Sequence, residues 1–186
     1  MEANEPKKEQ NTEEMDVMKQ FMELMGQQDM KEQSQDFMEV LQYIAGMQLQ
    51  LSAMVDELQG VRKQLEKMQE SQPKAAESQL LDKVSYLQEK VSSLAERLSE
   101  LKDHLIDTAA QAVTAFKEKG KEEMNRVLQK GISGVQSVLS GCREKMVDVL
   151  TSYEKTANQI DSIGDEFKQI GNSVANVGRL LTGKGT

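Results

Sequence analysis

The stretch from Ile44 to Met68, IAGMQLQLSAMVDELQGVRKQLEKM, decides the fold. Its apolar residues Ile44, Met47, Leu51, Met54, Leu58, Val61, Leu65 and Met68 are separated by three and four positions in strict alternation. Residues three and four apart share one face of an α-helix, and an unbroken 3–4 rhythm makes that face a seam that packs against another helix. Phe37 and Val40 extend the rhythm upstream, so the helix is expected over about 30–70. Its seam runs roughly 48 Å at ~1.5 Å per residue.

SQPKA then breaks the pattern, because Pro73 cannot continue a helix but suits the first turn of the next. A second helix, expected over 74–119, resumes the seam with Leu80, Val84, Leu87, Val91, Leu94, Leu98, Leu101 and Leu105. Folding the two helices about Pro73 sets Leu65 against Leu80, Val61 against Val84, Leu58 against Leu87 and Met54 against Val91. The same register pairs Leu51 with Leu94, Met47 with Leu98, Ile44 with Leu101 and Val40 with Leu105. Every layer is apolar on both sides, Glu57 then flanks Lys90, and a short connection favours antiparallel neighbours. The reading is a long antiparallel helical hairpin.

Residues 1–12 read as a disordered polar tail, followed by a short helix over 13–25 that places Met15, Met18, Phe21, Met22 and Met25 on one face. Gly26 supports a stop, and Asp29 with Glu32 offers a capping box for the next helix. Met38, Leu41 and Val55 widen the apolar face of the 30–70 helix, so a third helix is wanted there, and the Met-rich one fits. Together 13–120 form one unit. Residues 121–182 carry their own seam, from Ile132 through Cys142 and Tyr153 to Leu181, broken in apolar identity only at Thr156. That segment reads as one heptad helix or a bent pair, with 183–186 as a tail. Ala157, Gly164, Gly171 and Gly178 recur beside it every seven residues, which points to close helix approach or to a loosened helix. The fold class is therefore all-α: an elongated helical bundle or coiled coil.

Composition agrees. Aromatic residues make up 4 % of the 186 residues, Pro occurs twice, and charged residues reach 29 %. The net charge of −8 is uneven, with 12 Lys/Arg against 21 Asp/Glu in residues 1–103 and 11 against 10 in the rest. An acidic front half repels phosphate backbones, so nucleic acid is not an expected partner. The polar N-terminus carries no signal-peptide pattern and no run is apolar enough to span a bilayer, so a cytoplasmic place is expected.

Catalytic and metal chemistry find few residues to work with. One His and one Cys cannot form a metal cluster of His and Cys ligands, and His104 reads as a solvated helix residue. Cys142 sits on the seam as a buried thiol. GRLLTGKG, 178–185, mimics a phosphate-binding loop but has Gly185 where Ser or Thr would hold magnesium, and no strand precedes it. No catalytic residue, cofactor or metal is expected. Methionine is the most informative residue type, with 10 of 12 falling in residues 1–68. Thioethers fill cores and also line adaptable helix-binding grooves, which marks Met15, Met18, Met22, Met25 and Met38 as a candidate partner surface.

Three segments, FMELMGQQDMKEQSQDFMEVLQYIAGMQLQLSAMVDELQGVRKQL (21–65), AAQAVTAFKEKG (109–120) and SVANVGRLLTGK (173–184), resemble an uncharacterised family of helical proteins carried on integrative conjugative elements of gut Clostridia. The resemblance implies a mobile-element context in a Gram-positive bacterium and brings no functional residue with it. The expected function is a non-enzymatic scaffold that binds a protein partner or itself through its helices. The alternative is a reversible membrane- or granule-surface protein using amphipathic segments 105–116 and 124–150.

Overall fold

A computed structural model describes residues 5–71 and 75–161. It contains four helices and, among the described residues, no strand: α1 (Glu5–Gln27), α2 (Lys31–Ser71), α3 (Ala75–Lys119) and α4 (Lys121–Asp161). The fold is an all-α helical bundle. The chain divides into two compact units, Met1–Ile44 with Ser99–Leu139, and Ala45–Leu98 with Ser140–Thr186.

In the first unit α1 begins at Glu5, within the stretch expected to be a tail. Glu, Lys and Gln dominate that stretch and are good helix formers, and Pro6 falls in the first turn, where a missing N–H costs nothing. α1 packs on α2 through Phe21 and Phe37, both fully buried, their ring centres 4.8 Å apart and tilted by 51°. Such an aromatic pair contributes about 0.5–1.5 kcal/mol beyond its area burial.

The turn between α1 and α2 differs from the expected capping box. Asp29 takes φ of +53°, left-handed, and ends α1 instead of starting α2. Met30 N–H donates to Met25 C=O at 3.1 Å and Asp29 N–H to Gly26 C=O at 3.4 Å, the paired bonds of a Schellman cap. Met25 and Met30 are both buried, supplying the apolar contact that accompanies such caps. Met30 C=O then accepts from Ser34 N–H, so α2 starts at once. Asp serves because its short polar side chain tolerates this backbone region better than most residues.

One residue joins α3 to α4. Gly120, φ +88°, donates its N–H to Phe116 C=O at 2.9 Å and accepts from Met124 N–H at 3.2 Å. Only Gly adopts this φ without strain, so the stop expected there has a backbone cause. The adjacent Lys121 Nζ donates to Gln28 C=O at 2.7 Å, which places a cation on the last carbonyls of α1.

In this unit α4 approaches α3 closely at Gly131. A Cβ there would fall within 3.0 Å of Thr108 Cβ, Oγ1 and Cγ2. Thr108, Ala109 and Ala112 are buried, and these small side chains let α4 approach α3. Thr108 Oγ1 satisfies itself on His104 C=O at 2.8 Å.

The second unit packs parts of α2, α3 and α4. Of the eight layers read from the sequence, six fall here and two in the first unit, and all sixteen residues are buried. A Leu or Val taken fully out of water contributes about 1.5–3 kcal/mol, so this seam is the main stabilising feature. Arg62 Nη1 donates to Gln88 Oε1 at 3.4 Å between α2 and α3. Lys83 Nζ donates to Gln159 Oε1 between α3 and α4, while Arg97 lies near Cys142 further along, so those two helices run antiparallel.

α4 continues as helix through Thr156 to Asp161. Thr156 is buried and its hydroxyl donates to Ser152 C=O at 2.9 Å, which settles the polar group within its own helix. The segment 162–182, with Gly164, Gly171 and Gly178, lies outside the described residues, as do Pro73 and the mimic loop at 178–185.

Candidate interaction surface

Among the described residues no group of three His, Cys, Asp or Glu could hold a metal ion, and no helix is long and apolar enough to cross a membrane. A shallow groove of about 310 Å³ lies in the first unit along Ala110, Thr114, Ala115 and Glu118, with Glu123 at its edge. His104 is exposed, as expected.

The seam residues Ile44, Met47, Leu51, Met54, Leu58, Val61, Leu65, Leu80, Val84, Leu87, Val91, Leu94, Leu98 and Leu101 are all turned inward. They hold the bundle together and leave little for a partner. Cys142 is likewise buried, which pushes its thiol above the usual range, with Arg97 and Lys145 opposing the shift.

The methionine cluster divides. Met25 is in the core at 1 % exposure, whereas Met15 is 69 % and Met22 38 % exposed, and Met18 and Met38 are half-buried. Ser34 Oγ lies 3.7 Å from Met22 Sδ, which fixes the side of the α1–α2 pair on which they meet. One turn along, helical periodicity sets Met18 of α1 beside Met38 of α2, and a further turn sets Met15 beside half-buried Leu41. The result is a continuous apolar flank across two helices. The sequence marks four of its five members; it misses Leu41, read as covered by the third helix, and wrongly includes Met25. The only signal separating them is rotation, since Met25 lies a turn from Phe21 on the buried side.

The other exposed apolar residues, Tyr43, Leu49, Tyr86 and Val147, are dispersed over α2, α3 and α4. Single exposed apolar residues of this kind are ordinary.

One polar spot is buried in the second unit. Glu57 Oε2 on α2 and Tyr153 OH on α4 are buried without a hydrogen-bond partner. The expected Glu57–Lys90 pair does not form; Lys90 Nζ instead stands 5.3 Å from the Tyr86 ring centre. Burial raises the Glu57 carboxyl above its ordinary value, and burial together with the nearby Glu57 charge pushes the Tyr153 hydroxyl well up.

No curated protein and no solved structure matches the chain. A family model matches almost the whole of it, over the helices that build both units, and the chain belongs to a family of unknown function (DUF6674), matched over residues 14–186.

Proposed function

We propose that the chain is a non-enzymatic helical scaffold that works through helix-to-helix contacts in the cytoplasm. The observation that carries this reading is the apolar flank of Met15, Met18, Met22, Met38 and Leu41, left at the surface of an otherwise well-buried bundle. Contiguous surface methionines suit recognition of helices whose side chains vary in shape. The sequence resemblance to proteins of integrative conjugative elements supports a role tied to such an element in a Gram-positive host.

The membrane- or granule-surface alternative has less support. The apolar residues of its segments, including Leu105, Ala112, Leu128, Val135 and Val149, are already buried in the bundle, which would have to open for them to meet lipid. Affinity capture of the full chain from its host, after nuclease treatment and without detergent, tests the choice. One stoichiometric protein partner, or a defined oligomer of the chain itself, supports the scaffold; recovery of the chain with lipid, or as a lone monomer, overturns it.

A further inference from the structure

The apolar flank lies in acidic surroundings. Residues 13–39 carry eight carboxylates against two lysines. Both lysines are offset: Lys19 has Asp16 and Glu23 as its i−3 and i+4 neighbours, and Lys31 has Asp29 at 4.0 Å. An occupant matched to this surface is apolar along one face and basic elsewhere. The chain itself holds such a stretch. Between 167 and 186 it has Lys168, Arg179 and Lys184 and no acidic side chain, while Phe167, Ile170, Val174, Val177 and Leu181 keep the 3–4 spacing of a seam.

The packing of the second unit assigns that seam no partner on α3. α3 and α4 run antiparallel with Lys83 beside Gln159, and α3 begins at Ala75, eight positions before Lys83. Eight positions beyond Gln159 is Phe167, so in this register Ile170, Val174, Val177 and Leu181 have no α3 residue opposite them. From Asp161, where α4 is last described, six residue steps lead to Phe167 and reach roughly 20 Å at most. Along the single helix α2, Leu41 stands some 20 residues, roughly 30 Å, from Val61, whose layer partner Val84 adjoins Lys83. Phe167 thus falls short of the flank of its own chain. We infer that the flank of Met15, Met18, Met22, Met38 and Leu41 is the docking site for residues 167–186 of a second copy. Exchanged both ways, the contact closes a two-fold dimer. The inference rests on the scaffold reading above. Thioethers accommodate the mixed Phe, Ile, Val and Leu side chains of the segment, and its three cations meet the acidic surroundings of the flank.

The test uses the full chain with a photo-reactive benzophenone amino acid in place of Met22. Isotope-labelled and unlabelled copies are mixed and irradiated, and mass spectrometry reads the joined peptides. The expected product links position 22 of one copy to a peptide from 167–186 of the other; the same group in place of exposed Leu49 should not give it. Sedimentation equilibrium of the unlabelled chain is expected to show a dimer. Lys168→Glu/Arg179→Glu/Lys184→Glu should weaken that dimer about tenfold, and Met15→Ser/Met22→Ser should weaken it more, with circular dichroism checking that each variant stays folded. Leu49→Ser should leave it unchanged. A monomer at all concentrations, a dimer indifferent to the methionine or charge substitutions, or a cross-link confined to one copy or to another stretch each overturns the inference. Host capture separates the two levels: a stoichiometric foreign partner held by a monomeric chain leaves the scaffold standing and removes this dimer, whereas a lone monomer removes both.

Discussion

Gly131 of α4 faces Thr108 of α3 so closely that no β-carbon fits between them. Three residues on, Gly134 has nothing within 4 Å of the same hypothetical atom. The two glycines therefore differ in kind, although both stand in one short motif, GISG. Gly134→Ala should stabilise the protein by about 1 kcal/mol through helix propensity alone. Gly131→Ala should destabilise it by about 1–2 kcal/mol, because overpacking outweighs that gain. Thr108→Ala in the Gly131→Ala background should recover most of the loss. Urea unfolding of the four proteins measures the coupling, and additive effects would contradict the close approach.

The two left-handed turn residues make an opposite pair. Asp29 holds φ +53° and Gly120 φ +88°. Asp29→Gly should raise stability by about 1 kcal/mol, and Gly120→Ala should lower it by about 1–2 kcal/mol, since a β-carbon is disfavoured in this region. Thermal melts of both variants check the signs.

Glu57 predicts a pH effect. Its carboxyl is raised above 4.5 by burial, so the folded state holds that proton more tightly than the unfolded chain does. The stabilisation it contributes is complete below 4.5 and is lost as pH rises through the higher folded value. At neutral pH the carboxylate is a burden. Glu57→Gln should therefore melt higher than the parent at pH 7, with the difference shrinking toward pH 4.5. A difference that stayed constant over pH 4–8 would show that desolvation of the charge is not the cause.

Cys142 should react only when the bundle opens. Its thiol is buried and its ionisation suppressed, so a disulfide reagent should modify it slowly in buffer and at once in urea. Rapid stoichiometric labelling of the native protein would mean that this part of α4 is far less protected than its burial implies.

The seam was legible because burial along a helix follows one arithmetic, and Leu58, Val91 or Val135 obey it wherever the partner helix lies. What the sequence hid depends on residues far apart in the chain. Whether Gly131 or Gly134 is the contact glycine is settled by Thr108 across the interface, not by the motif holding both. Asp29 has the same composition signal as an N-cap and as a left-handed C-terminal residue; the carbonyls of Met25 and Gly26 decide between them. Met22 and Met25 belong to one apolar stripe of α1, and only their rotation relative to Phe21, which Phe37 covers, makes one surface and the other core. The beginning of α1 at Glu5 was missed for a simpler reason: a polar, charged stretch satisfies both the disordered and the solvated-helix reading.

The bond from Lys121 to the Gln28 carbonyl joins residues 93 positions apart, and the first unit draws on Ser99–Leu139 to complete itself. During synthesis, α1 and the start of α2 must therefore wait for the later half of their own unit to leave the ribosome. At about 5–20 residues per second that wait lasts roughly 5–20 s. Throughout it the Phe21–Phe37 layer and its neighbours stay uncovered on one side. Early demand for a chaperone should thus fall on the N-terminal helices, and truncated chains ending before Leu139 should aggregate while the full chain does not.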